Sequence, residues 1–159
     1  MAKITKSAVD PIDRKILVLL QKDGRLSLSE ISQQVGLSAS PCLRRIRRLE
    51  TVGVISRYVA VLDQTSIGLP VSVFVSIKLD RQREDALEKF SKAIGRWPEV
   101  LECYLMTGPR DYLLRVVVAD VAAYEVFLKQ KLTRLDAVAS IESSFALEQV
   151  KYTNVLPFP

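Results

Sequence analysis

The sequence predicts an α+β protein in which helices dominate the first part of the chain and strands the second. Apolar residues recur with a helical period in residues 11–52, whereas residues 71–153 alternate between strand and helix patterns. Residues 1–62 contain eleven Lys and Arg against five Asp and Glu, whereas residues 63–159 contain twelve against thirteen. Charge alone would fit a solvated basic surface, but a basic module beside a near-neutral one suggests that only the first meets a polyanion.

Composition is that of an ordinary globular protein. The 159 residues, 48% of them hydrophobic and 26% charged, allow one medium domain or two small ones. No apolar run approaches the roughly eighteen residues that a membrane span needs, and no secretory signal is visible. Cys42 and Cys103 lie in apolar patterns, and we expect both to be reduced and buried. We expect a cytoplasmic protein with no membrane partner.

The first two predicted helices are short. Helix 1 covers residues 11–22 with Asp10 as its N-cap, and helix 2 covers residues 30–35 with Ser29 as its N-cap and Gly36 at its end. A helix as short as the second is stable only when it packs on its neighbours. The polar residues of helix 1 fall mostly off its apolar face: Asp13, Arg14, Lys15 and Lys22.

The third predicted helix carries four arginines on one side. Ser38 is its predicted N-cap, and Gly53 ends it. Its apolar arc is predicted to pack on helices 1 and 2 and consists of Cys42, Leu43, Ile46 and Leu49. Its outward arc consists of Ser40, Arg44, Arg47 and Arg48, with Arg45 at the edge.

This tri-helical pattern predicts a helix-turn-helix with helix 3 in the DNA major groove. Arginine binds guanine bidentately and also holds phosphates, and for any single arginine a phosphate contact is favoured. The alternative is a solvated helix in a small bundle. Such a helix normally carries charges of both signs, whereas helix 3 contains no acidic residue before Glu50. The predicted DNA-contacting residues are Ser29, Ser38, Ala39, Ser40, Arg44, Arg45, Arg47, Arg48 and Arg57.

Residues 54–62 have strand-like side chains and fit either a wing or a strand that leads out of the domain. Residues 63–70 form the predicted linker, since they combine turn residues with glycine and proline. The predicted domains are therefore residues 1–62 and 71–159.

The second module has the element order βαββαβ, which indicates a ferredoxin-like antiparallel sheet with two helices on one face. Its predicted elements are strand 71–79, helix 83–97, strand 100–107, turn 108–111, strand 112–119, helix 121–132 and a last strand region over 138–153. The alternation predicts that the other face of the sheet is also apolar, through Phe74, Ile77, Leu113 and Val117. An apolar open face favours a second copy that covers it, so we expect at least a homodimer.

Two segments of the second module are candidates for ligand binding. Gly108 and Asp111 fit a ligand loop, but Gly, Pro and Asp are also standard turn formers, and spacing alone favours a plain hairpin turn. Ser143 and Ser144 line a pocket or mark solvent-facing positions. The chain has no histidine and no nucleotide-binding glycine pattern, so we expect no metal and no cofactor. An enzyme built on a dimeric sheet remains the rival function.

Four blocks of the sequence resemble the Lrp/AsnC family of prokaryotic transcriptional regulators. They are D-P-I-D-R-K-I-L (10–17), L-S-L-S-E-I-S-Q-Q-V-G-L-S (26–38), C-L-R-R-I-R-R-L-E-x-x-G-V-I (42–55) and G-x-x-D-Y-L-L-R-V (108–116). The resemblance implies an N-terminal winged helix-turn-helix and a C-terminal ferredoxin-like ligand-binding domain. It also implies dimers that pair through their sheets, commonly assemble into octamers, and bind small effectors, typically amino acids, between subunits.

The same resemblance points to the residues that would hold an effector. In the loop they are Gly108, Pro109, Arg110, Asp111 and Tyr112, and in the last strand they are Ser143, Ser144 and Phe145. Asp111 matches the family's acidic position and is the expected partner of an amino-acid ammonium group. Arg110 occupies a variable position, where it either attracts a second carboxylate or faces solvent.

Overall fold

The computed structural model describes residues 9–80 and 84–158, without the side chains of Glu84 and Asp85. These residues form two compact units. The helical unit contains residues 9–61 together with 151–158, and the sheet unit contains residues 62–150. The predicted second domain, residues 71–159, includes the end of the chain, whereas in the structure residues 151–158 group with the helical unit.

The helical unit consists of three helices: α1 Pro11–Lys22, α2 Leu28–Val35 and α3 Ala39–Thr51. They enclose one small core, built from Ile16, Leu17, Ile31, Val35, Cys42, Ile46 and Leu49. Cys42, Ile46 and Leu49 of the predicted apolar arc of α3 are confirmed in this core, whereas Leu43, the fourth predicted member, is only partly buried and lies outside it. Burial raises the pKa of the Cys42 thiol, as expected for a cysteine held away from water.

The start of α2 differs from the sequence prediction. Its N-cap is Ser27 rather than Ser29, and Ser29 is an exposed residue of the first turn. The Ser27 Oγ accepts a hydrogen bond from the Glu30 N–H at 3.3 Å, and Glu30 accepts one from the Ser27 N–H at 2.7 Å. This reciprocal capping box requires Glu three residues after the cap, a spacing that Ser29 does not have.

The connection after α3 forms no strand within the described residues of this single chain, so neither the wing nor the outgoing strand that the sequence predicts for residues 54–62 is seen here. Its first part packs back on the helical unit. The Ile55 N–H donates to the Leu49 carbonyl at 3.1 Å, and the Tyr58 hydroxyl donates to Glu50 at 3.0 Å. Burial, followed by the neighbouring Glu50 carboxylate, raises the pKa of Tyr58 to about 12.

The sheet unit has the predicted βαββαβ order. Its elements are β1 Val71–Leu79, α4 Glu84–Ile94, β2 Val100–Leu105, β3 Tyr112–Val118, α5 Val121–Gln130, a short 3₁₀ helix Leu132–Arg134, and β4 Val138–Phe145. The strands are antiparallel in the spatial order β2-β3-β1-β4, as the ferredoxin-like prediction requires. The last strand ends eight residues earlier than expected, and the predicted start of α4 at residue 83 lies outside the described residues.

One face of the sheet carries the core, and its strand residues alternate with those of the open face. The core side includes Val73, Val75, Ile77, Leu114 and Val116, all with no exposed surface. Ile77 was predicted on the open face, and this was wrong because it shares the parity of Val73 and Val75 along β1.

The open face is more polar than the sequence suggested. An ion pair joins Arg115 to Glu102 at 3.1 Å, and the same guanidinium donates to Gln64 at 3.1 Å. Gln64 lies in the predicted linker and also bonds to Ser72 of β1. Cys103 was expected to be buried, but it is exposed on the edge strand β2. The open face therefore presents a paired polar network among its apolar side chains.

We predict that Ser27→Ala lowers the free energy of unfolding by about 1 kcal/mol, since it removes the N-cap acceptor of α2. Ser29→Ala, two residues further on, is the matched control and should change that free energy by less than about 0.5 kcal/mol. Urea denaturation followed by circular dichroism measures both. Equal effects of the two substitutions would contradict the observed helix start.

Candidate functional sites

The arginine-rich helix α3 is fixed to its unit by an apolar side. Cys42, Ile46 and Leu49 are buried against α1 and α2, so the opposite side faces outward. The structure divides the four arginines on that outward side into two pairs, according to what their guanidinium groups contact.

Arg45 and Arg48 bind one buried carboxylate. Asp13 of α1 has no exposed surface, and its Oδ1 lies 3.0 Å from Nη1 of Arg45, while its Oδ2 pairs with Nη2 of Arg48. The Asp10 N–H also donates to Asp13 at 3.1 Å, and the Asp10 carboxylate pairs with Arg45. A buried carboxylate without such partners would be costly, so these contacts explain why Asp13 is tolerated there.

This arrangement corrects two sequence interpretations. Asp13 was placed mostly off the apolar face of helix 1, yet it is completely buried. Arg48 was grouped with the freely outward residues, but its guanidinium is held by Asp13. The sequence did contain a signal for this contact, because α1 carries an acid and α3 carries several arginines. An acid of α1 that packs against α3 can be buried only if an arginine pairs with it.

Arg44 and Arg47 form the second pair. Both side chains are exposed, and neither guanidinium has a hydrogen-bond or ion-pair partner among residues 9–80 and 84–158. Arg57, after the helix, is exposed in the same way. These three cations therefore keep their full binding capacity for an external anion.

The start of α3 offers further donors. Ser38 is the N-cap, as predicted, but its side chain makes no capping hydrogen bond, unlike the caps of α1 and α2. Ala39 and Ser40 are exposed beside it. The first N–H groups of a helix bind anions when no side chain satisfies them.

Asp10 adds a pH-dependent element to this surface. The Asp13 N–H and then the Arg45 guanidinium lower the pKa of the Asp10 carboxyl. Because its pKa is lower in the folded state, Asp10 stabilises the fold above its unfolded pKa of about 3.9. That contribution is lost as the pH falls through the lowered value.

The candidate ligand loop between β2 and β3 is a tight turn. Gly108 has a φ of +108°, a conformation that favours glycine, and the Met106 N–H donates to the Asp111 carbonyl at 2.8 Å. Gly108 and Pro109 are exposed at its tip.

Asp111 has a structural contact that sequence reasoning missed. It is only 5% exposed, and its Oδ2 accepts a hydrogen bond from the Leu79 N–H at 2.7 Å, where the pairing of β1 with β4 shifts register. Tyr112, the next residue, is buried with its ring stacked on Phe90 at a centroid distance of 4.4 Å. Asp111 and Tyr112 therefore hold the loop on the sheet.

Arg110 lies on the open face together with β4. Its guanidinium donates to the Ser140 Oγ at 2.9 Å and pairs with Glu142 at 2.7 Å. Ser144, two positions further along β4, shares this face and is opposite Phe74 of β1.

Ser143 and Phe145 have the opposite parity along β4. Ser143 shares a hydrogen bond with the Tyr124 hydroxyl, and the Phe145 ring meets Tyr124 edge-on at 5.2 Å. The structure therefore brings Arg110 and Ser144 to one face of the sheet and separates them from Ser143 and Phe145.

The described residues offer neither of two other kinds of site. No group of three or more His, Cys, Asp or Glu side chains there could hold a metal ion. None of the helices in residues 9–80 and 84–158 is long and apolar enough to cross a membrane.

Comparisons with known proteins cover almost the whole chain. Residues 9–50 match the AsnC-type helix-turn-helix domain, and residues 72–156 match the Lrp/AsnC ligand binding domain. Among curated relatives, the Bkd operon transcriptional regulator of Pseudomonas aeruginosa is 48% identical over 94% of this chain and 97% of its own length. The leucine-responsive regulatory protein of Escherichia coli is 44% identical over 93% and 90%.

Solved structures agree with this match. An AsnC family transcriptional regulator from Agrobacterium tumefaciens has a TM-score of 0.90 and 46% identity, covering 94% of this chain and 97% of that one. A transcriptional regulator from Neisseria meningitidis, in complex with L-Met, has a TM-score of 0.89 and 40% identity, covering 94% and 96%.

We predict that Asp13→Ala lowers the free energy of unfolding by about 2 kcal/mol, because it removes the charged acceptor shared by Arg45 and Arg48. Arg44→Ala should change that free energy by less than about 0.5 kcal/mol, since its side chain is exposed and unpaired. Denaturant titration of both variants measures the difference. An Asp13→Ala protein as stable as the wild type would contradict the anchoring role of this carboxylate.

Proposed function

Because the chain belongs to the Lrp/AsnC family of transcriptional regulators, we propose that it binds operator DNA as a homodimer through the exposed arginines of α3. The family consists of regulators rather than enzymes, which excludes the enzyme alternative raised by the sequence. The proposed place of action is the cytoplasm, where a regulator of this family meets the DNA.

The observation that carries the proposal is the division of the arginines. Arg45 and Arg48 bind Asp13 and hold α3 on α1, while Arg44 and Arg47 have no partner among the described residues. A helix fixed on one side with free guanidinium groups on the other can enter a major groove with little reorganisation.

We assign roles to the remaining predicted contacts from their positions. The uncapped start of α3, with Ser38, Ala39 and Ser40, supplies donors for a DNA phosphate. Ser29 on α2 and Arg57 after α3 are exposed and suit further phosphate contacts.

A homodimer would place two copies of α3 in successive major grooves, about 34 Å apart. The open face of the sheet is the proposed dimer surface, since helices cover the other face. Its apolar side chains favour association, and its Arg115–Glu102 pair is already satisfied and can be buried without leaving an unpaired charge. Assembly of dimers into an octamer is the further expectation.

We also propose that an amino acid binds beside loop 108–112, between subunits. The Neisseria meningitidis relative was crystallised with L-Met. Arg110 and Glu142 form an ion pair on the open face, with Glu142 62% exposed at its side chain. A zwitterionic ligand could exchange with this pair, its carboxylate binding Arg110 and its ammonium group binding Glu142.

This assignment changes the expected role of Asp111. The sequence interpretation gave it the ammonium group of the ligand, but its carboxylate is buried and bonded to the backbone of β1. We therefore propose that Asp111 positions the loop and that Glu142 is the acidic partner of the ligand.

We predict that Arg44→Ala and Arg47→Ala each weaken DNA binding about tenfold and reduce the slope of log affinity against log salt by about 1, because each removes one phosphate contact. Arg48→Ala should reduce the slope less. Fluorescence anisotropy with duplex DNA that the wild type selects from a random library measures both quantities.

Lys89→Ala, an exposed cation on α4, is the control and should leave the affinity unchanged. Binding of the wild type that is independent of salt would contradict the proposed interface.

We predict that at least one of the twenty amino acids raises the Tm of the wild type, since a ligand at about 100 times its Kd stabilises the folded state by about 2.7 kcal/mol. Arg110→Ala and Glu142→Gln should abolish this shift. Asp111→Asn should instead lower the Tm without any ligand. A thermal-shift screen measures these effects, with Arg96→Ala as the control. The absence of any shift in the wild type, or its persistence in Arg110→Ala, would contradict the proposed ligand site.

A further inference from the structure

Strand β2 lies at one edge of the sheet, and among the described residues only β3 pairs with it. Just after β2, the Met106 N–H donates to the Asp111 carbonyl on the β3 side at 2.8 Å. Backbone groups alternate in direction along an antiparallel strand, so those of Cys103 and Leu105 point away from β3. The outer side of β2 therefore presents donors and acceptors that no neighbouring strand uses within the described part of the chain.

The side chains along this edge are mostly apolar and exposed. Cys103 is exposed. The exposed fractions of the larger residues are 55% for Leu101, 52% for Tyr104 and 66% for Leu105. Edge strands are commonly protected by lysine or proline, and neither occurs between residues 100 and 105. The one charged residue of β2, Glu102, is already paired with Arg115. The edge is therefore suited to pairing with another strand.

The sequence of β2 is chemically symmetric about Cys103. In an antiparallel pair of two β2 strands centred on this residue, Leu101 of one copy would be opposite Leu105 of the other. Glu102 would be opposite Tyr104, whose hydroxyl already donates to Glu102 within one chain at 3.0 Å. The two Cys103 residues would face each other and exchange their outward N–H and C=O groups as a hydrogen-bonded pair.

Other registers of the same pair are less favourable. A shift by one residue would set outward backbone groups against inward ones. Centring the pair on Glu102 would place two carboxylates directly opposite each other, and like charges at such positions are destabilising. Centring it on Tyr104 would place Glu102 opposite the apolar Met106. The regular pairing of β2 with β3 from Glu102 to Leu105 matches the register centred on Cys103.

We propose that β2 pairs antiparallel with β2 of a second copy of this chain, about a twofold axis at Cys103. This interface differs from the open face, because it uses the backbone at the edge of the sheet. An assembly larger than a dimer needs a second subunit interface, and a twofold one must be self-complementary, as this edge is. The proposal extends the expected octamer, but it depends neither on DNA binding nor on the ligand site.

Cross-linking of the full-length protein tests the register. Leu101→Cys and Leu105→Cys are made separately in a Cys103→Ser background, in which the remaining Cys42 is buried. One of the two proteins carries an affinity tag, and both are co-expressed and oxidised. Opposite residues of a hydrogen-bonded pair have Cα atoms about 5.5 Å apart, within the range of a disulfide. Two copies of the same substituted position lie four residues apart, roughly 13 Å, which a disulfide does not span.

The expected product is a covalent dimer that contains one copy of each protein, and neither protein expressed alone should form a covalent dimer. Equal cross-linking in the co-expressed and the separate proteins would overturn the proposal. So would the absence of the mixed dimer.

Sedimentation velocity tests whether the backbone carries the contact. Cys103→Pro removes the outward N–H of Cys103, whereas Cys103→Ser keeps it and is the matched control. Cys103→Ser should retain the mass of the wild-type assembly, and Cys103→Pro should form a smaller one. Leu105→Lys, which places a charge on the edge, should have the same effect. Circular dichroism checks that each variant is folded.

Equal masses for the wild type, Cys103→Pro and Leu105→Lys would overturn the proposal. DNA affinity and the amino-acid thermal shift, measured on the same variants, report the proposed function separately, because none of the substituted residues belongs to α3 or to loop 108–112. Failure of the edge interface and failure of the proposed function are therefore distinguishable.

Discussion

The buried carboxylate of Asp13 determines how α3, the proposed DNA-contacting helix, is held on its unit. It has no exposed surface, and a charge in that position is tolerated only because Arg45 and Arg48 pair with it from α3. The pairing joins α1 to α3 at their polar edges, beyond the apolar core that the three helices share. It also decides which arginines remain available: Arg44 and Arg47 keep their guanidinium groups free among the described residues.

Much of this architecture could be predicted from the spacing of apolar residues and from the capping and turn residues between elements. The three helices, the βαββαβ order and the apolar side of α3 follow from local spacing, which the sequence displays directly. Local chemistry also misled in one place, because both Ser27 and Ser29 are good N-caps. The structure selects Ser27, the one with a glutamate three residues later.

Sequence reasoning misplaced Asp13, Arg48 and Asp111 because their contacts join distant parts of the chain. Asp13 and Arg48 are 35 positions apart, and the carboxylate of Asp111 bonds to the backbone of a strand 32 positions earlier. A helical wheel or a turn motif holds no information about such partners. The same limit explains the tail: nothing in its composition indicates that Leu156 would return to Gln21 of α1.

The most direct test of the account is the state of the four arginine side chains with and without DNA. Nitrogen–proton correlation spectra of the full-length protein would report each of these four guanidinium groups. The account predicts slow proton exchange for Arg45 and Arg48 in the free protein, and DNA-induced shifts concentrated on Arg44 and Arg47. Fast exchange at Arg45 and Arg48, with DNA-induced shifts equal at all four arginines, would contradict it.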